Sequence, residues 1–133
     1  MELHAKLLAD AQVQAQQQQR RAIEVLEDML ALEPDAMVAA LASLLNYQQA
    51  TMRDLRTWQV AFEVIAYNQA QQKECLAFYD ETQSLVLVFA DPFNRQLPLW
   101  VQHAVQQPFQ WRLAHRLDIN AYLAGEEETM RAM

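Results

Sequence analysis

The stretch that most constrains the fold is Leu85-Val86-Leu87-Val88-Phe89-Ala90-Asp91-Pro92, an uncharged apolar run that stops abruptly. A short run of branched and aromatic residues, ended by a turn signal, predicts a strand that is buried on both faces. Asp91-Pro92 ends it, because proline has no N–H to donate to a neighbouring strand and disfavours helical dihedrals in the residue before it. Such a strand needs neighbours, so the sequence predicts a sheet of at least three strands.

The flanking segments supply these neighbours. Cys75–Tyr79 precedes the run across a short polar connection, which predicts an antiparallel hairpin. After the Asp91-Pro92 turn we expect a helix over Leu97–Gln106 and then a strand over Phe109–Leu113. Strand, helix and strand in this order form a βαβ unit, whose two strands pair in parallel. The expected fold class is therefore α+β, with the apolar run as the middle strand of a small sheet packed with helices.

An N-terminal helical segment is expected before the sheet. Apolar residues recur at helical spacing at both ends of residues 2–32, and the glutamine-rich segment between them, Gln12–Gln19, favours helix. One continuous or nearly continuous helix is the first expectation; two helices with a soft joint, or a flexible extension, are the alternatives. Pro34 suits the first position of the next helix, and Asn46 is a plausible stop for it.

The remaining segments give weaker signals. Residues 47–60 are expected to hold a short edge strand and, around Trp58-Gln59-Val60, a second extended piece. Phe62, Val64, Ile65 and Ala66 are expected to lead into a short helix that ends near Lys73, and a last helix is expected over Arg116–Ala124, ended by Gly125.

Composition excludes several classes of function. Gly125 is the single glycine, whereas phosphate-binding loops need several, so the chain has no P-loop. The net charge of −7 argues against a nucleic-acid partner, and no apolar run is long enough to insert directly into a membrane. His4, His103, His115 and Cys75 lack metal-ligand spacing. With no catalytic constellation evident, we expect no enzyme activity and no cofactor; the cytoplasm is the default location, and Cys75 is expected to be a buried, inert thiol.

The order of elements resembles the N-terminal domain of type II secretion and type IV pilus assembly ATPases. The resemblance covers about residues 21–124 and includes Leu41-Ala42-Ser43-Leu44-Leu45-Asn46-Tyr47, which is similar to a family passage. Its other parts are a strand, an Ala-Asp-Pro turn, a helix, a strand and an Asp-Ile helix: Val86–Ala90, Ala90-Asp91-Pro92, Leu97–Gln106, Phe109–Ala114 and Asp118-Ile119 to Leu123.

The resemblance implies a function. In that family the domain docks the motor onto an inner-membrane assembly partner and moves relative to the ATPase core, so both are expected partners here. The location implied is cytoplasmic, peripheral to the inner membrane through the partner. The surface proposed from the residues for docking is the mixed basic and aromatic group Arg53, Arg56, Trp58 and Phe62.

Some members of that family bind cyclic di-GMP through a motif like RLGxxLVxxGLISxxxLxxAL. Residues 21–41 run along this motif without a gap, keeping its arginine as Arg21 and most of its apolar positions. Ile23 and Leu30 replace its two glycines, and their side chains would occupy the space where a ligand lies against bare backbone. No second copy of the motif is found. A cyclic di-GMP sensor using Arg20 and Arg21 is therefore the alternative function.

The resemblance also implies a domain organisation. Residues 1–20 are expected to be a glutamine-rich helical extension, residues 21–125 the domain itself, and residues 126–133 the start of a linker to a further domain. On this view ATP binds only in that downstream domain of a longer parent protein.

Overall fold

The computed structural model describes residues 3–132, which form seven helices and a five-stranded sheet. The helices are α1 (Ala5–Gln18), α2 (Ala22–Leu30), α3 (Pro34–Leu45), α4 (Met52–Thr57), α5 (Tyr67–Lys73), α6 (Gln96–Ala104) and α7 (Arg116–Ala132). The strands are β1 (Gln48–Gln49), β2 (Gln59–Val60), β3 (Cys75–Tyr79), β4 (Leu85–Phe89) and β5 (Gln110–Leu113). Among the described residues, no helix is both long enough and apolar enough to cross a bilayer.

The sheet confirms the predicted arrangement around the apolar run. Its strand order is β1-β5-β4-β3-β2, so β4 lies in the middle and all of its residues are buried. β3 and β4 form the antiparallel hairpin, with Cys75 opposite Phe89 and Tyr79 opposite Leu85. β4 and β5, which α6 connects along the chain, pair in parallel. The prediction of an α+β fold with a βαβ unit is therefore confirmed.

Both edges of the sheet are strands of two residues, and α4 connects them. The predicted extended pieces are thus present, but α4 between them was not predicted. A capping box begins α4: the Thr51 hydroxyl accepts from the Asp54 N–H, and the Asp54 carboxylate accepts from the Thr51 N–H. Because β1 and β2 are opposite edges, α4 crosses one face of the sheet, where it meets α7 and β2.

The predicted N-terminal helical segment is confirmed, and it consists of two helices, the alternative to one continuous helix. Gln19 adopts a left-handed conformation with φ 55°, and the Arg20 N–H bonds to the Ala15 carbonyl, which ends α1. After this turn α2 packs against α1, which buries Leu7, Ala11 and Ala15. The joint begins at Gln19, the last residue of the glutamine-rich segment.

The predicted short helix ending near Lys73 is confirmed as α5, and before it the carbonyl of Ala61 accepts from the Val64 and Ile65 N–H groups and closes a turn. One predicted helix boundary is wrong. The last helix does not end at Gly125 but continues to Ala132. The predicted stop at Asn46 is confirmed, with φ 63°.

Candidate functional site at the α2 junction

Arg21, the arginine of the motif-like passage, joins three separate segments. Its Nη1 donates to Glu74 Oε2 at 2.7 Å, just after α5, and its Nε donates to Asp91 Oδ2 at 3.1 Å, just after β4. The other oxygen of Asp91 accepts from the Phe93 N–H at 3.0 Å, which fixes the turn. Burial opposes the charge of Arg21, but Glu74 and Asp91 outweigh it and raise the pKa of Arg21 above its ordinary value. The two carboxylates thus balance the positive charge of Arg21 within the fold.

A second polar cluster holds the other half of α2. Glu27 Oε1 accepts from Arg116 Nη1 at 2.8 Å and lies 3.3 Å from His115 Nε2. The ring of His115 is buried, and its Nδ1 accepts from the Leu117 N–H at 3.1 Å, so the proton of the neutral ring lies on Nε2 and points to Glu27. Together with Arg21, this cluster ties α2 to the start of α7 and to the end of β4.

The two motif positions that carry glycine in the family are filled here. Ile23 and Leu30 are 4% and 6% exposed and belong to the core. Ile23 lines a cavity of about 10 Å³ together with Met37 and Leu113, which leaves room for about one water molecule. The inner side of α2 therefore offers no space for a ligand.

An open groove of about 450 Å³ lies on the outer side of Arg21. Arg21, Lys73, Asp91, Phe93, Asn94 and Leu97 are among its lining residues. Lys73 Nζ lies over the Trp100 ring, 5.3 Å from its centre, and Arg21 pairs with the two carboxylates.

Arg20, the other arginine predicted for cyclic di-GMP, instead pairs with Asp28 at 2.7 Å on the exposed side of α2. The structure therefore sends Arg20 and Arg21 to different partners.

The residues predicted for docking differ in how far they are exposed to solvent. Arg53 and Arg56 are exposed on α4, and Phe62 is half-buried with its ring 5.8 Å from that of Tyr67. Trp58 is only 8% exposed: its ring packs on Phe78, and its Nε1 donates to Glu81 Oε2 at 2.7 Å. Trp58 is therefore a core residue whose edge reaches the surface.

Sequence reasoning missed Arg112. Its guanidinium carbon lies 5.6 Å from the centre of the Trp58 ring, and its Nε is buried without a hydrogen-bond partner. The alternation of Phe109-Gln110-Trp111-Arg112 signals that it shares a sheet face with Gln110, but nothing in the sequence indicates Trp58 as its neighbour.

Cys75 and possible metal-binding groups were the other candidates for chemistry. Burial raises the pKa of the Cys75 thiol to about 12, which keeps it protonated at neutral pH, as expected for an inert core thiol. Within residues 3–132, no group of three His, Cys, Asp or Glu side chains is placed to hold a metal ion.

Comparison with known proteins gives a family and a shared fold. The family model of the MshEN domain matches residues 45–131, a range that begins after the motif-like passage. A solved structure of MshE with cdg aligns with a TM-score of 0.67 at 15% identity, covering 92% of this chain and 89% of that one. No curated protein matches the chain. The chain belongs to the MshEN domain family, the N-terminal regulatory, non-catalytic domain of type II secretion and type IV pilus assembly ATPases.

Proposed function

We propose that this chain is a docking domain that couples a secretion or pilus assembly ATPase to an inner-membrane assembly protein. One observation favours docking over nucleotide sensing: Glu74 and Asp91 balance the charge of Arg21. In addition, Ile23 and Leu30 occupy the two positions where the cyclic di-GMP motif has glycine, and both side chains are buried. Because these motif residues contact other parts of the same domain, we assign the function to recognition of a partner protein by the domain surface. On this proposal ATP binds elsewhere in the parent protein, and the domain lies near the inner membrane through its partner.

Electrostatics supports the same choice. A nucleotide phosphate that reached Arg21 would meet Glu74 and Asp91, which already accept its hydrogen bonds. Two like charges about 4 Å apart repel by on the order of 4 kcal/mol at the effective dielectric of a protein surface. Binding would therefore require Glu74 and Asp91 to move away from Arg21.

Binding to the partner tests the proposal. The domain is immobilised and exposed to the cytoplasmic domain of the inner-membrane assembly protein, with an unrelated cytoplasmic domain as control. We expect saturable binding of the first and none of the second. No saturable binding of the assembly protein would contradict the docking function.

A second candidate function is regulation by cyclic di-GMP through a degenerate motif. It is favoured by the motif arginine at position 21 and by the shared fold with MshE, whose solved structure contains cdg. Calorimetric titration with cyclic di-GMP decides between the two. The docking proposal predicts no saturable heat. Micromolar binding that Arg21→Ala abolishes, and that the control Arg131→Ala, at an exposed position on α7 outside the motif-like passage, retains, would establish the second candidate instead.

A further inference from the structure

Three arginines lie on and beside α4, and we call them the arginine surface: Arg53, Arg56 and Arg112. We propose that the docking partner presents a carboxylate-rich protein segment to this surface. The inference rests on the proposed docking function and names the chemistry of the partner.

The charges of the arginine surface are not paired within residues 3–132, a property shared only by Arg95 among the other arginines, which lies apart at the start of α6. Among the described residues, no carboxylate oxygen lies within 4.0 Å of the guanidinium groups of Arg53, Arg56 or Arg112. Arg20 and Arg21, by contrast, each form an ion pair. The sequence has seventeen acidic against ten basic residues, so carboxylates are abundant. Cations that stay unpaired in such a chain are available to a carboxylate from outside.

Arg53 and Arg56 are held on a fixed support. They are three residues apart and therefore neighbours on the surface of α4. Leu55, fully buried, anchors α4 in the core, and the Thr51–Asp54 capping box fixes its start. The two charges are thus presented by a short helix whose position is set before a partner arrives, which lowers the entropy lost on binding.

Arg112 extends this surface across Trp58. Its guanidinium carbon lies over the indole, and its Nε is buried without an acceptor. The acids nearby are engaged: Glu81 accepts from Trp58, and Asp80 accepts from Thr82 and Ser84. These hydrogen bonds, with a smaller contribution from the charge of Arg112, lower the pKa of Asp80. Arg112 is only partly exposed and its Nε is buried, so a carboxylate of the partner contacts only the accessible part of the guanidinium.

The ligand chemistry follows from the guanidinium group and from the charge of the whole chain. Arginine binds carboxylates through two parallel N–H···O bonds, which gives geometric specificity. A net charge of −7 repels extended polyanions such as nucleic acid or an anionic bilayer, whereas a short acidic segment meets only the local positive charge. We therefore assign the surface to an acidic protein segment and not to lipid headgroups.

Charge reversal tests this inference. The affinity of the cytoplasmic domain of the inner-membrane assembly protein is measured for the intact chain and for Arg53→Glu, Arg56→Glu and Arg112→Gln. Arg95→Glu is the matched control, because Arg95 is exposed, lies outside the arginine surface and changes the net charge equally. We expect about a tenfold loss for each reversal on α4, a smaller loss for Arg112→Gln, less than a twofold change for the control, and weaker binding at higher salt. Circular dichroism confirms that each variant is folded.

The outcomes separate the two proposals. If the partner binds the intact chain and all variants equally, docking stands and the arginine surface is not its site. If the intact chain does not bind the partner, the docking function fails and this inference fails with it. If the intact chain instead binds vesicles containing phosphatidylglycerol, and Arg53→Glu abolishes that binding, the acidic segment is replaced by a lipid surface.

Discussion

The central strands and the N-terminal helix pair of this domain are held in place by different forces. β3 and β4 are apolar along almost their whole length, and side chains such as Leu76 and Leu87 are fully buried. α2 packs mainly against α1 and buries an apolar face in the core, and ion pairs through Arg21 and Glu27 add polar contacts with the rest of the domain. The central strands are therefore stabilised by burial, whereas α2 combines a buried apolar face with ion pairs to distant segments.

The magnitudes of these forces differ. Fully burying a leucine contributes about 1.5–3 kcal/mol. A partly exposed ion pair contributes only about 0–1 kcal/mol, and salt screens it. We therefore expect α1 and α2 to separate from the sheet more readily than the sheet comes apart.

The largest effect is expected in the sheet. Leu87→Ala removes a side chain that is fully buried in the middle strand and should lower the free energy of unfolding by about 3 kcal/mol, through lost burial and a cavity. Urea denaturation measures this. Leu99→Ala, at a position 57% exposed, is the control and should change stability little. A loss at Leu87 no larger than at Leu99 would contradict the burial of β4.

A smaller effect is expected where α2 meets α7. Glu27→Ala leaves His115 and Arg116 without their acceptor and should lower the free energy of unfolding by about 1–2 kcal/mol. Asp28→Ala, one residue along the same helix, removes only an exposed pair with Arg20 and should cost about 0.5 kcal/mol. Equal losses in the two variants would mean that the Glu27 cluster does not hold α2.

The contacts of Arg21 should be weaker still and sensitive to salt. Arg21→Ala is expected to lower the free energy of unfolding by about 1 kcal/mol, because the side chain is partly exposed and its ion pairs are screened. The loss should shrink between low and high salt, whereas the loss from Leu87→Ala should not. Urea denaturation of both variants at two salt concentrations measures this; a salt-independent loss at Arg21 would assign its role to packing.

The smallest effect is a gain. Gly125 lies inside α7, and a Cβ added there meets nothing within 4 Å. Gly125→Ala should raise the free energy of unfolding by about 0.5–1 kcal/mol, since alanine is the better helix former. Ala124→Gly, its exposed neighbour, should have the opposite effect. If Gly125→Ala is destabilising, α7 ends near residue 124, as the sequence alone predicted.

The same contrast explains what the sequence could predict. The run from Leu85 to Asp91 carries its own signal, because strand burial and the proline stop are properties of neighbouring residues. Arg21 lies 53 residues from Glu74 and 70 from Asp91, and Glu27 lies 89 residues from Arg116. No local pattern indicates such pairs, so the position of α2 against the rest of the domain could not be predicted.

Local signals were also missed or misjudged where two compete. Thr51 and Asp54 have the spacing of a capping box, but α4 is short and has no apolar periodicity to accompany it. Gly125 was expected to end the last helix, yet the helical residues on both sides of it outweigh its poor propensity. Gln19 takes a left-handed conformation that more often falls to glycine or asparagine, which concealed the end of α1.

Amide hydrogen exchange under native conditions tests the central claim most directly. We expect the buried amides of α2, including that of Leu26, to exchange at least ~10-fold faster than those of β4, including that of Val88, because α2 opens without the sheet. Arg21→Ala and Glu27→Ala should widen the gap by speeding exchange in α2 alone. Equal protection of α2 and β4 in the intact chain, falling together in both variants, would show that the helix pair and the sheet open as one unit.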